Sequence, residues 1–176
     1  MCEKSQLHNK ETRIVICMRT HQLLRALPAA ALAGALGICL MGATNDAVSS
    51  TDVSFAPSAM KLILQSVANA EAVQDGSADP SPELTALAKQ IQADGLAVGS
   101  ELSSLAGYDG INVSTDLPKA TGTNASFATD QVQSLQQLIA ILEAEKNNGN
   151  APNLRDFADN AIPRLQKDLE AAKAIK

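Results

Sequence analysis

The sequence predicts an all-α fold: an antiparallel four-helix bundle that follows an N-terminal signal segment. Three observations carry that expectation. Four stretches of about 20 residues space their apolar side chains three and four apart, the period of a helix with one buried face. Short clusters of turn-forming residues, "QDGSADPSP" and "NNGNAPN", join the first stretch to the second and the third to the fourth, as between antiparallel neighbours. No apolar–polar alternation of strand type persists for any length.

Residues 1–43 form a front end of different character. They carry the basic groups Lys4, Lys10, Arg13, Arg19 and Arg25 against Glu3 and Glu11. They also hold all three cysteines (Cys2, Cys17, Cys39) and both histidines (His8, His21) of the 176-residue chain. From Arg25 the chain reads "RALPAAALAGALGICLMGA", a basic flank, an apolar run and small residues, which together make an export signal. Cleavage is expected near Ala43. Met18, followed by "RTHQLLR", begins a better-proportioned signal than Met1, so residues 1–17 read as an over-long start. The alternative is an uncleaved inner-membrane anchor over residues 26–43, at the low end of spanning length. "LGIC" departs from a lipoprotein box, because Ile38 stands where a small residue is needed.

Residues 44–176 are the bundle domain. Nine basic groups face seventeen acidic ones there, a net charge of −8. That balance argues against nucleic acid as a partner and against polybasic attachment to anionic lipid. With no cysteine in this part, disulfides are excluded in spite of export.

The first helix is expected over about residues 52–73, with Phe55, Ala59, Ile63, Val67 and Ala70 on one side. The second starts with Ser81 as N-cap, Pro82 at the first helical position and Glu83 at the positive end, and stops at Gly107. A long connection, "GYDGINVSTDLPKATGTNA", is expected to cross the bundle end on Ile111, Val113 and Leu117. The third helix covers about residues 126–147 with Val132, Leu135, Leu138, Ile139 and Leu142 inward. The fourth follows Pro152 and has the strongest stripe: Leu154, Phe157, Ala158, Ala161, Ile162, Leu165, Leu169 and Ala172. Pro163 removes one backbone hydrogen bond there and predicts a kink.

Two stretches, "SPELTALAKQIQADGLAVGSELSSLA" and "LIAILEAEKNNGNAPNLRDFADNAIPRLQKDLEAAKAI", resemble the exported bacterial ferritin-like domain of unknown function 4142 family. The likeness runs from about Phe55 to Ile175. It implies a ferritin-like bundle and, in members that keep them, inward polar positions: Asp-His in the second helix, a His in the third and a His in the fourth. Here Asp94 is kept, but the next position is Gly95; the third-helix slot is Leu135 and the fourth-helix slot Asp168. A first-helix glutamate corresponds to Ser66. The usual histidines are missing.

Ferritin-type metal sites take Glu from two helices and Glu-x-x-His from two more. Asp94 and Asp168 are the only acids expected near the seam, and the sequence predicts that both reach solvent or a nearby lysine. No metal site and no cofactor is expected. Residues 44–176 lack the usual general base and the strongest nucleophile, so no enzyme is expected either. Asp109, Asn112 and Asp116 lack the offsets of an EF-hand loop, and Asn112 and Asn124 read as plain loop despite glycosylation-type triplets.

A binding or structural role remains: an accessory subunit partnered by a periplasmic or membrane-associated protein. The small subunits of membrane-bound periplasmic dehydrogenase complexes offer an analogy. A metal-binding or stress-related protein working through residual carboxylates is the other reading. Partner-contact candidates are Tyr108, Ile111, Val113 and Leu117 in the long loop, with Leu62, Leu64, Leu96 and Ile141 on outer helix faces. Gly95 and Gly99 each weaken the second helix by about 1 kcal/mol relative to alanine. The vacated histidine slot at Gly95 predicts a close, dry approach of the second and third helices, filled by Leu135.

Overall fold

The computed structural model describes residues 47–76 and 79–175. The signal segment, the Met18 start, the Ala43 cleavage point and the 26–43 anchor lie outside the described residues. Within them the secondary structure is helical, with no strand: α1 (Ser50–Asp75), α2 (Pro82–Tyr108), α3 (Phe127–Asn148) and α4 (Pro152–Ala174). No helix among the described residues is long and apolar enough to cross a membrane.

Local chemistry sets the helix ends. The Ser49 hydroxyl accepts the Asp52 N–H at 3.2 Å, and the Asp52 carboxylate accepts the Ser49 N–H in return. This is a capping box, which satisfies two otherwise orphaned donors. Ser81 Oγ accepts the Leu84 N–H at 3.2 Å, with Pro82 at the first position as the sequence predicts. The end of α2 differs from expectation. The helix passes Gly107 and closes at Gly110, whose φ of 72° only glycine adopts at little cost. The Ile111 N–H donates to Ala106 O at 2.7 Å and the Gly110 N–H to Gly107 O at 3.2 Å. That is a Schellman closure, in which the apolar residue after the glycine folds back on the helix.

Both internal prolines, Pro57 and Pro163, lie within helices that run through them. Pro163 is on the exposed face of α4, and the residue whose carbonyl loses its partner, Asp159, is exposed too. The lost bond therefore falls on the exposed face, and the helix continues through it.

α1 packs on α2 and α3, and α4 packs on the same two helices. The expected apolar stripes form the core, including Val67, Ile91, Val98, Leu102, Leu135, Leu142, Leu154 and Leu165. Phe55 and Phe157 meet in a tilted pair with centroids 6.4 Å apart. Val132 is only half-buried.

Two expectations need correction. Gly95 and Gly99 face α1, not α3: a Cβ on Gly95 would stand 2.7 Å from Val67 Cγ2, and one on Gly99 3.2 Å from Ile63 Cγ2. Leu135 is buried in the core but does not fill that slot. The glycines let the α1 ridge of Met60, Ile63 and Val67 approach the α2 backbone. The long connection likewise does not cross the bundle end. It runs beside α1, where Asn69 Oδ1 accepts the Thr121 N–H at 2.7 Å and Gln65 Nε2 donates to Lys119 O at 3.3 Å.

Candidate functional site

The seam between α2 and α4 brings the two acid candidates together. Gln90 and Asp94 are one turn apart on α2, and Arg164 and Asp168 one turn apart on α4. Gln90 Nε2 donates to Asp168 Oδ1 at 2.6 Å, and Arg164 Nε stands 3.8 Å from Asp94 Oδ1. The prediction that both acids reach solvent is overturned for Asp168, which is 1% exposed. It occupies an inward position between Leu165 and Leu169, so its carboxyl has to find a partner inside the seam. Asp94 stays half-exposed beside Arg164.

Burial pushes the Asp168 pKa up to about 6; the Gln90 amide opposes that, and the Asp94 charge and hydrogen bond reinforce it. Lys167 pulls slightly downward. The Asp94 charge nearby thus adds to the cost of ionising the dry Asp168 carboxyl. A hard cation takes six to eight oxygens, whereas here an amide donor and a guanidinium already occupy the carboxylates. Among the described residues no group of three or more His, Cys, Asp or Glu is placed to hold a metal ion. The other slots implied by the resemblance add no ligand: Ser66 is buried on α1, Gly95 carries no side chain, and Leu135 is core.

A second acid cluster went unseen in the sequence. Asp52 is fully buried at the start of α1. Its Oδ1 accepts the Asn150 and Ala151 N–H groups at 2.9 and 3.1 Å, and its Oδ2 accepts the Ser49 hydroxyl at 2.6 Å. α4 has no side-chain cap of its own, so a residue of α1 serves the turn that leads into it. Burial alone would raise the Asp52 pKa. The Ser49 hydroxyl and amide, Glu145 and the Ala151 N–H together outweigh it and hold the carboxyl well below its usual range.

Glu145 of α3 is 1% exposed, and neither of its oxygens meets a donor in full hydrogen-bond geometry. Burial, then the closeness and charge of the Asp52 carboxylate, pushes its pKa up to about 8, against a smaller pull from Arg155. Asp109, just past α2, has a buried and unpartnered Oδ2; burial and the Asp52 charge raise its pKa. Gln131, fully buried on α3, has both amide atoms unpartnered among the described residues. The available signal was spacing: residues 131, 135, 138, 142 and 145 form one helical stripe, polar at its two ends.

The partner-contact candidates separate. Ile111 is buried by the Schellman closure and Val113 packs on the core, which removes Ile111 from any outer surface. Tyr108, 81% exposed, and Leu117 remain on the outside. Leu62, Leu64 and Ile141 are half-buried against the core; Leu96 is 51% exposed. Leu96 borders a groove of about 340 Å³ lined by Met60, Leu64, Gly95, Gly99, Ser100 and Thr115.

A four-helix domain whose α2–α4 seam holds two acids, each met by a polar side chain of the facing helix, is the class of protein these features define. Residues 39–175 match the family described as Domain of unknown function (DUF4142), and the chain belongs to that family. No curated protein and no solved structure matches it.

Proposed function

We propose that the chain is an exported, non-catalytic bundle protein that works by binding, as an accessory or structural subunit of the cell envelope. Its bundle is antiparallel and ferritin-like. Support comes from the pairings of Glu71 with Gln92, Val67 with Gly95 and Ile63 with Gly99, where residue numbers rise on α2 as they fall on α1. The observation that carries the functional reading is the state of the two acids that stand at the family's polar positions. Asp168 is closed off by Gln90 and Asp94 by Arg164, while Leu96 and the groove beside it face outward. A periplasmic or membrane-associated protein is the partner, and the leader or anchor at residues 26–43 supplies the address. An accessory place in a membrane-bound dehydrogenase complex fits this reading.

The test is cross-linked capture from periplasmic and membrane fractions with the native chain and with Leu96→Asp. One reproducible partner, lost in the variant, is expected; a monomer with no partner in either fraction defeats the proposal. The juxtaposition of Asp94 and Asp168 favours a second reading, a metal-binding bundle. Elemental analysis of the purified chain decides it, since stoichiometric iron, manganese or zinc establishes the second reading and sinks the first.

A further inference from the structure

We propose that Asp52 and Glu145, backed by Asp109, form a proton-operated latch that holds the start of α1 to the α3–α4 turn and loosens as Glu145 loses its proton. The geometry has one acceptor and one closing group. The Asp52 carboxylate gathers the Ser49 hydroxyl and N–H with the Asn150 and Ala151 N–H groups, so one side chain fastens two chain segments 98 and 99 residues apart. Its lone pairs are spoken for by donors, which suits an ionised carboxylate. Glu145 closes the cluster from α3. Its carboxyl is dry, lacks any donor in full geometry and is confined by the next turn: a Cβ on Gly149 would stand 2.7 Å from Glu145 Cδ.

Charged and titratable groups around Glu145 are unequal in number. Asp52 faces it from α1, Asp109 approaches Asp52 from the end of α2, and Arg155 of α4 is the opposing charge that pulls its pKa down. Lys146, the next residue on α3, is engaged with Asp159 at 2.6 Å. A protonated Glu145 sits neutral beside Asp52. An ionised Glu145 puts a second buried negative charge against a carboxylate that cannot be neutralised without releasing its four donors. Opening the latch to water relieves that repulsion. The Asn150 and Ala151 N–H groups then lose their acceptor.

The direction of the pH effect follows. Glu145 holds its proton more tightly closed than open, so the latch is strongest below the ordinary glutamate pKa of 4.5 and weakens until pH passes about 8. The experiment uses NMR on the whole chain from pH 6.5 to 9, above the Asp168 transition, following the Glu145 carboxyl carbon and amide-exchange protection at Asn150 and Ala151. Protection is expected to fall about tenfold per pH unit to near pH 8 and then level off. Glu145→Gln, which keeps a donor and removes the titration, should give protection independent of pH. A Glu145 carbon that does not titrate between pH 6.5 and 9, protection unchanged across the range in the native chain, or an equal fall in Glu145→Gln overturns the latch. If Glu145→Gln does not fold, the two native-chain measurements decide alone.

Discussion

Replacing Gly95 by alanine sets two opposed effects against each other. Alanine in a helix interior is worth about 1 kcal/mol over glycine. Against that gain, the new methyl would stand 2.7 Å from Val67 Cγ2, well inside contact distance. Val67 is fully buried, and a β-branched residue in a helix has one strongly preferred rotamer, so it cannot swing aside. Overpacking of this kind costs about 1–3 kcal/mol. The net expectation is a loss of about 1 kcal/mol. Gly99 and Gly107 calibrate the argument. A methyl at Gly99 meets Ile63 Cγ2 at 3.2 Å, which small shifts absorb, and one at Gly107 meets nothing within 4 Å. Stability should therefore rank Gly107→Ala above Gly99→Ala above Gly95→Ala, the first gaining about 1 kcal/mol. Urea unfolding followed by far-ultraviolet circular dichroism reads all three. Pairing Gly95→Ala with Val67→Ala should show favourable coupling of about 1 kcal/mol, and pairing it with Leu135→Ala none. Equal gains at Gly95 and Gly107, or coupling to Leu135 in place of Val67, would refute the packing of α1 into the glycine slots.

Other perturbations probe the buried polar groups. Gln131→Leu removes an amide that has no partner among the described residues, and should stabilise by about 1–2 kcal/mol in the same unfolding assay; a loss would mean the amide is satisfied. Asp168 has its pKa raised from 3.8 to about 6, so the stability it contributes is present below pH 3.8 and lost as pH rises through 6. Asp168→Asn should reduce the stability slope between those values by nearly one proton, leaving the slope that belongs to Glu145. Asp52→Ala strips four donors of their acceptor and should cost about 2–4 kcal/mol. It should also let the Glu145 carboxyl carbon titrate closer to the ordinary range, measured by NMR.

The sequence carried the helices well because their signals are local. Ser81-Pro82 and the stripe of α4 depend on neighbours within a turn or two, and both recur in the structure. It carried the site less well because periodicity gives a face without naming what the face meets. Gly95 was legible as a gap, yet its filler came from Val67 on α1. Asp168 and Glu145 lie on the same stripes as the leucines beside them, so a count of apolar residues alone passes over them. Ile111 illustrates the reverse: it was open to two readings, an anchor of the connection or a partner contact, and glycine followed by an apolar residue is a helix-closing signal that favours the first. The acceptor role of Asp52 for the α3–α4 turn spans nearly a hundred residues, beyond any local rule.

The connection that runs beside α1 has a consequence for how the chain folds. Ser66, Val67, Ala68, Asn69 and Ala70 are five consecutive buried residues, so this part of α1 is covered on every side. One of those covers is the backbone at Thr121, 52 residues downstream, bonded to Asn69. Closing such distant contacts is slow compared with forming a helix or a short hairpin. α1 is thus made well before it is enclosed: α1 and α2 can associate early, but the outer side of α1 stays wet until the chain has been synthesised through Thr121.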